Sequence, residues 1–453
     1  MNMSDLIKMK VAHDNGNSAS KIVLNGVYTE QPNGIVNNGA DKVDTGDWQA
    51  SDILRLKQKL IVGIETEQDS MFGDGKEIFE DTYFVGTYAL NSGKRIEGLD
   101  IKNKFDKIDN DITLITTNAY IAAEAVITKF KELKAEREKL AEENGKDITS
   151  DVITLEDFKD LDEVFVNVDL STAIPARIYK REVATELAKK FLYKFDDETQ
   201  SYDTTQPNTF RVRLYLPDNQ SVMVNITYSK VNVIQEGVTA THFLINAPED
   251  VFAEFNEEQK KIAIANGKEP FQLTNDFFKN EKVLHVAIGE GTTELPITEG
   301  LNWDSRFITG IEGGIGHAME SAIDVLSNSE ISKSLLNPKK LSLIIKQKMA
   351  NNIEHKFFPE ISRALMPSMR SEASKIVKAA MGELNRDGDV NLIIVYGGGS
   401  IMMQSALKPT FQKELRGKKV DILFIPKKYA VKLEAFGLYS LVSSKNFKSI
   451  SID

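Results

Sequence analysis

Apolar and polar positions alternate with period two over residues 7–14, which predicts a half-buried strand. A polar turn containing Gly16 follows, and residues 22–30 (IVLNGVYTE) read as its hairpin partner. Residues 28–50 are rich in Gly, Asn, Asp and Gln, with few large apolar side chains, and predict a long surface loop anchored by Trp48. Further strands are expected at 59–66, 82–86, 164–168, 210–216, 221–228 and 230–234. Apolar positions at helical spacing cover 117–140 and fade into KELKAEREKLAEENGK, the pattern of a solvated helix end. Helices are also expected at 181–194 and from about 239.

The pattern then restarts. VLHVAIGEGTTELPITEG, residues 283–300, is again strand, glycine turn and strand. Superposing the two turns puts Gly16 on Gly289 and Asp14 on Ala287, an offset of 273 residues, and suggests two related lobes facing across a cleft. Helices at 316–326, 342–356, 371–384 and 402–415 alternate with strands at 391–396 and 421–425, the signature of an α/β fold. The apolar runs at 390–396 and 420–426 have the length of buried strands and are too short to cross a bilayer.

Composition narrows the class. The 453 residues are about three times a ~150-residue domain, so at least two lobes are expected. With 41% hydrophobic and 27% charged residues the chain is neither disordered nor a membrane protein in type. It has no cysteine, which excludes disulfides, iron–sulfur clusters, zinc thiolates and a thiol nucleophile, and points to a reducing cytoplasm. The opening MNMSDLIKMK has no signal-peptide core. Acidic residues exceed basic ones by 67 to 56, a net charge of -11, so no direct binding to DNA or to a membrane is expected. Any DNA contact would go through another protein.

Four glycine turns carry the candidate chemistry. The first, Asp14, Asn15, Gly16, Asn17, Ser18, Ala19, Ser20 and Lys21, combines small residues that let backbone amides approach phosphate with a lysine point charge. Its carboxylate suits a phosphate site only beside Mg²⁺, through metal-bound water. The same residue types also make ordinary hairpin turns. The second turn is Gly289, Glu290, Gly291, Thr292 and Thr293. A third, Gly397, Gly398, Gly399 and Ser400, stands between an apolar strand and a helical pattern, where a helix start is electropositive. The fourth, residues 310–316 with Gly313 and Gly314, also opens a helix. No GxxxxGK[ST] loop occurs, and no GxGxxG follows the first strand. Together the turns predict a nucleotide cleft. The five histidines, His13, His242, His285, His317 and His355, lack metal-ligand spacing. His13 and His285 read as structural, and His317 as packing near a helix start. Phe357, Phe358 and Pro359, and Met402 with Met403, read as core or interface.

The order DNGNSASK, VNVIQEGVTA, IGEGTTE, GGIG and YGGGS resembles the actin-like ATPases, in particular the plasmid-partition actins of the ParM and StbA type. YFVGTYALNSGK at 83–94 and IKQK within 343–349 extend the resemblance over nearly the whole chain. It implies an α/β actin-like (ribonuclease H-like duplicated) fold, with ATP or GTP and Mg²⁺ between two lobes. Residues 1–280 would form lobe I, 281–427 lobe II, and a last helix within 428–453 would pack back on lobe I. Asp14 would orient the metal waters, residues 15–21 hold the β- and γ-phosphates with Lys21, and 289–293 close on them from lobe II. Residues 397–400 with Lys346 and Gln347 would border the adenosine, and Glu236 would orient the attacking water. Catalysis would then rest on Glu236, Asp14 and Lys21.

The implied activity is a nucleoside triphosphatase that assembles into filaments and disassembles after hydrolysis to segregate plasmids. Its partners would be further copies of itself and a DNA-binding adaptor of the ParR type, with the 28–50 segment as a candidate strut between copies. Two departures stand out: Ala287 replaces an Asp that helps hold metal water in the family, and Gln347 replaces a Glu common on the adenosine side. Glu290 or Glu294 could substitute for the first. The alternatives are a non-polymerising ATPase or kinase of the same superfamily, and a nucleotide-binding scaffold with negligible turnover, which Ala287 favours.

Overall fold

The structure, a computed structural model, describes residues 6–39, 43, 45, 50–69, 76–99, 103, 105–144, 163–216, 219–303, 309–331, 333–445 and 447. The first half of the chain supplies β1 (Leu6–Asn15), β2 (Ala19–Leu24), β3 (Val27–Pro32), β4 (Ile35–Gly39), β5 (Leu60–Asp69), β6 (Lys76–Val85) and β7 (Glu163–Ile174). A separate two-stranded ribbon is made by β8 (Tyr193–Asp196) and β9 (Ser201–Pro207). With β10 (Thr209–Tyr215) and β11 (Ser221–Gln235) the first sheet runs in the order β3-β2-β1-β7-β11-β10-β5-β6-β4.

The second sheet follows from β12 (Lys282–Ile288), β13 (Thr292–Glu294), β14 (Ile297–Glu299), β15 (Asn302–Trp303), β16 (Gly310–Glu312), β17 (Leu392–Tyr396) and β18 (Asp421–Phe424). The two sheets repeat one plan. β1 pairs antiparallel with β2 and parallel with β7, which pairs parallel with β11. β12 likewise pairs antiparallel with β13 and β14 and parallel with β17, which pairs parallel with β18.

Helix Ile112–Glu143 shows why its two ends read differently in the sequence. Its residues up to Phe130 are largely buried against the first sheet, and the charged run beyond them lies on the surface. On the second sheet, helices Ile315–Leu326, Pro338–Asn351 and Phe358–Arg386 cover one face through Met319, Leu341, Ile361 and Ile376. Each fully buried side chain of this size contributes roughly 1.5–3 kcal/mol. Residues 240–278 pack on the other face, where Leu244, Phe252 and Phe278 meet Val283, Ile394 and Leu423. Helix Leu433–Ser443 returns to the first sheet, setting Ala435 and Leu438 against Ala12, Val23, Ala173 and Ile234.

Several expectations are corrected. The 28–50 segment holds two strands rather than one long loop, because Asn25 (φ 46°) and Gly26 (φ 89°) form a tight hairpin that sends β3 back along β2. Both β3 and β4 are sheet edges; β3 is polar and largely solvent-facing, while β4, with Ile35 and Val36 buried, is too short a run to stand out among its asparagines. Trp48 lies outside the described residues. Residues 221–235 form one strand, with a bulge between Tyr228 and Lys230 that absorbs the polar Ser229. Phe357 and Phe358 pack half-buried against the second core as expected, while the helix expected from 371 begins earlier, at Phe358, since Pro359 suits a first turn. The helix expected at 402–415 is two, Gly398–Met402 and Gln404–Glu414. Among the described residues no helix is long and apolar enough to cross a membrane.

Candidate functional site

The duplication brings two equivalent turns to one cleft. Between β1 and β2 the Gly16 amide donates to the Ala19 carbonyl at 3.1 Å, and between β12 and β13 the Gly289 amide donates to Thr292 at 2.9 Å. Each turn is held from behind. Asn33 donates through Nδ2 to the Gly16 carbonyl at 2.7 Å and through its amide to Ser18 at 3.0 Å. In the second turn, the amides of Gly313 and Gly316 donate to Gly291 and Glu290 at 3.1 and 2.8 Å, and His317 Nε2 meets the Gly291 carbonyl at 2.9 Å.

The third turn enters the same cleft. Gly397 leaves β17 with φ 92°, and its amide donates to Ala430 at 2.9 Å. The space between the turns is about 1240 Å³ with its open mouth included, and it is lined from both halves of the chain.

Of the residues singled out from the sequence, Asp14, Gly16, Asn17, Ser18, Ala19, Lys21 and Glu236 line this cleft from the first half of the chain. Gly289, Glu290, Gly291, Thr292, Lys346, Gly397, Gly398 and Gly399 line it from the second. Six lie behind or beside it. Asn15 is buried and donates to Thr113 Oγ1 at 2.8 Å, and Thr293 is buried and donates to the Gly313 carbonyl at 2.8 Å. Gly313 and Gly314 support the second turn, because the amides that open that helix are used on turn carbonyls. Ser400 caps its own turn by donating to Gly397 at 2.8 Å, and Gln347 is exposed one helical step round from Lys346. Of the pair read as core or interface, Met403 is fully buried, and Met402 packs against the second core while also lining the cleft.

Charge in the cleft is dense and mostly paired. Lys21 Nζ donates to Asp14 Oδ2 at 2.7 Å. Burial alone would raise the Asp14 carboxyl, but Lys21, with Lys107 beyond it, more than offsets that and holds it below the ordinary range. Lys107 is buried and pairs with Glu236, and Arg177, just after β7, pairs with Glu312 on β16. The Glu294 carboxyl is pushed up to about 8, chiefly by burial and then by the charge of Glu236. His13 and His285 are buried, and burial lowers each to about 3, so both are neutral structural residues. His13 meets Thr117 Oγ1 at 2.7 Å and Ser20 Oγ at 2.5 Å.

Lys107, Arg177 and Glu434 join Tyr396 of the third turn's motif in completing the cleft, and those three had no signal in the sequence, since the partners of the first two are 129 and 135 residues away. Tyr396 OH lies 2.8 Å from both Glu434 Oε1 and the Gly237 carbonyl, sharing its one hydrogen between them, and Thr239 donates to Glu434. Burial pushes the Glu434 carboxyl up to about 7, against a hydrogen bond from Thr239, and the charge of Asp14 adds to the rise. The native protein therefore binds this proton more tightly than the unfolded chain does. Stability from this group is full below about 4.5 and falls as pH rises towards about 7. Glu434→Gln is expected to stabilise nucleotide-free protein at pH 8–9 by at most about 3 kcal/mol, with the difference vanishing below about pH 4. Parallel pH profiles of the thermal midpoint for parent and variant would contradict this.

A metal ion fits here in one way only. Among the described residues no group of three or more His, Cys, Asp or Glu side chains could hold an ion by itself. Mg²⁺ needs no such cage, because it keeps several waters and binds through one or two carboxylates together with substrate phosphates. The Asp14 carboxylate beside the first turn meets that requirement.

No family model and no curated protein sequence matches the chain. Solved structures do match along almost its whole length. The actin-like protein Alp7A aligns over 96% of both chains with 14% identity and a TM-score of 0.60. ParM of Bacillus thuringiensis with ATP aligns over 95% of this chain and 97% of its own, with 14% identity and a TM-score of 0.52. Ta0583, an archaeal actin homologue, aligns over 96% and 98% with 13% identity and a TM-score of 0.50. At such identities the likeness speaks to architecture, and it agrees with the duplicated sheets and facing turns: this chain has the actin-like fold shared by Alp7A and ParM.

Proposed function

We propose that the chain is a nucleoside triphosphatase whose bound nucleotide controls its assembly into filaments. The observation that carries this reading is the pair of equivalent turns, Gly16 to Ala19 and Gly289 to Thr292, facing one cleft from two related sheets. Lys21 and the first turn hold the β- and γ-phosphates, residues 289–292 approach them from the other side, and Lys346, Met402 and 397–399 border the nucleoside. ParM of Bacillus thuringiensis has been solved with ATP, which supports a nucleotide in this chain as well.

Hydrolysis proceeds by attack of water on the γ-phosphorus in line with the breaking bond to the β-phosphate oxygen. Bound Mg²⁺ would neutralise charge on the phosphate oxygens. Asp14 would orient the waters such an ion carries, and Glu236, just past β11, orients and accepts a proton from the attacking water. Lys107 holds Glu236 until a triphosphate competes for the ammonium, so the paired state is a resting one.

Residues 1–236 with the C-terminal helix form one lobe in this reading. The shared core of residues 240–278 with the second sheet supports a join near 236, ahead of the 280 expected from the sequence. Head-to-tail copies use a heterologous interface, which generates open helical filaments. With a net charge of -11 the filament reaches plasmid DNA through a basic adaptor of the ParR type in the cytoplasm. A second reading, a scaffold with negligible turnover, draws support from Ala287 and from the Lys107–Glu236 pair.

The test is sedimentation with Mg²⁺ and ATP, GTP, ADP or no nucleotide, with phosphate release followed in the same samples. Pelleting with one triphosphate that reverses as phosphate appears is the expected result. Protein that stays in the supernatant under all conditions rules out the filament. Stable pellets without phosphate release favour the scaffold.

A further inference from the structure

We infer that Glu294 supplies the second-sheet carboxylate facing the Mg²⁺–phosphate site, carried on β13 because its cross-strand neighbour Ala287 on β12 has no ligand atom. The inference deepens the nucleotide-cleft reading and rests on it.

Register makes the exchange visible. Asp14 stands opposite Lys21 in the β1–β2 pair, and Ala287 stands opposite Glu294 in the β12–β13 pair. The offset of 273 residues that relates Gly16 to Gly289 also relates Asp14 to Ala287 and Lys21 to Glu294. The first hairpin thus carries acid on its first strand and base on its second. In the second hairpin the acid sits on the second strand and the base is missing. Directly opposed residues of an antiparallel pair share a face, with Cβ atoms about 4.5–5.5 Å apart. A glutamate on the neighbouring strand, one methylene longer than aspartate, therefore covers the same region as an aspartate at 287.

The surroundings of Glu294 are built for a carboxylate with one free oxygen. The residue is 2% exposed yet lines the cleft. Oε2 accepts the Ala176 amide at 3.2 Å from the end of β7, while Oε1 has no hydrogen-bond partner among the described residues. Gly310 is the opposing residue on β16, and a Cβ there would lie 2.2 Å from Oε2, so the glycine leaves the space the carboxylate fills. No cation is paired with Glu294 among the described residues, in contrast to Asp14, Glu236 and Glu312. Burial and the charge of Glu236 keep this carboxyl protonated up to about pH 8 in the free protein, and a cation or its bound water arriving at the unmet oxygen would displace that proton. Glu290, the other acid in this hairpin, lies in the turn itself, where its charge meets phosphate rather than metal.

The experiment compares nucleotide affinity with Mg²⁺ and with EDTA, using a fluorescent non-hydrolysable triphosphate, for the parent, Glu294→Gln, and Glu294→Gln combined with Ala287→Asp. The parent is expected to bind at least about 10-fold more tightly with Mg²⁺. Glu294→Gln should keep its affinity in EDTA and lose most of the Mg²⁺ gain, and the double variant should recover it. Binding in EDTA doubles as the folding control for each protein. A Mg²⁺ gain intact in Glu294→Gln overturns the inference and leaves the nucleotide cleft standing. Loss of the gain without recovery in a double variant that still binds in EDTA also overturns it, since a carboxylate at either position should serve. If the parent binds no triphosphate in either condition, the nucleotide-cleft reading fails and the inference falls with it.

Discussion

Glu236→Gln is expected to slow phosphate release at least about 100-fold, the usual scale for losing a positioned general base. The amide keeps the size of the side chain and can still hydrogen-bond water, but it cannot take a proton from it. Triphosphate binding should survive or tighten, because Lys107 loses the carboxylate it pairs with and its buried ammonium is left for an anion. If assembly follows the bound nucleotide, this variant should pellet with triphosphate and fail to redissolve. Single-turnover phosphate release and sedimentation of the same samples check both halves. Phosphate release within about 3-fold of the parent would remove Glu236 from the reaction, and attention would move to the other cleft carboxylates.

Gly397→Val should be among the most damaging single changes in the second lobe, with a stability loss of about 3 kcal/mol or more. Two causes add. The backbone at 397 has φ 92°, which a β-branched residue adopts only under strain, and a Cβ there would lie 2.3 Å from the Ile288 carbonyl oxygen. Ile288 is the last residue of β12 before the second turn, so the side chain would push β17 from β12 and displace residues 289–292. Nucleotide affinity should fall together with stability. Gly398→Ala is the control: no positive φ applies there, and the new Cβ would meet only Val431 Cγ1, at 3.9 Å. Its thermal midpoint should stay near that of the parent, and equal loss in the two variants would show that the turn as a whole, rather than the Ile288 contact, is intolerant.

These variants touch residues whose legibility differs. Gly397, Gly16 and Gly289 were found from local pattern alone, because a glycine turn between a strand and the next element is a short-range signal. The same holds for the restart at 283–300, where the period-two pattern and the turn recur together. Lys107 beside Glu236 was not found, since a pair 129 residues apart leaves no trace in either neighbourhood. The expected strand 22–30 runs across the Asn25–Gly26 turn that divides β2 from β3, and β4 falls within the stretch expected as loop, because its buried Ile35 and Val36 are only two residues among Asn and Gly.

What the sequence determined by itself was therefore the set of local backbone choices: which stretches become strands or helices, where the chain turns, and that two halves follow one plan. Apolar spacing and glycine placement act over a few residues and need no partner to be read. What the tertiary structure decided was which of those turns face the cleft and which support them from behind. Gly313 and Gly314 look like phosphate binders in sequence, yet the amides that open their helix are already used on the carbonyls of the second turn. Glu290 and Glu294 are equal candidates in sequence for the carboxylate missing at Ala287, and only register separates them, setting Glu294 opposite Ala287 with Gly310 making room and one oxygen left unmet. Burial and pairing across the sheets set its charge chemistry, and those are properties of the packed molecule alone.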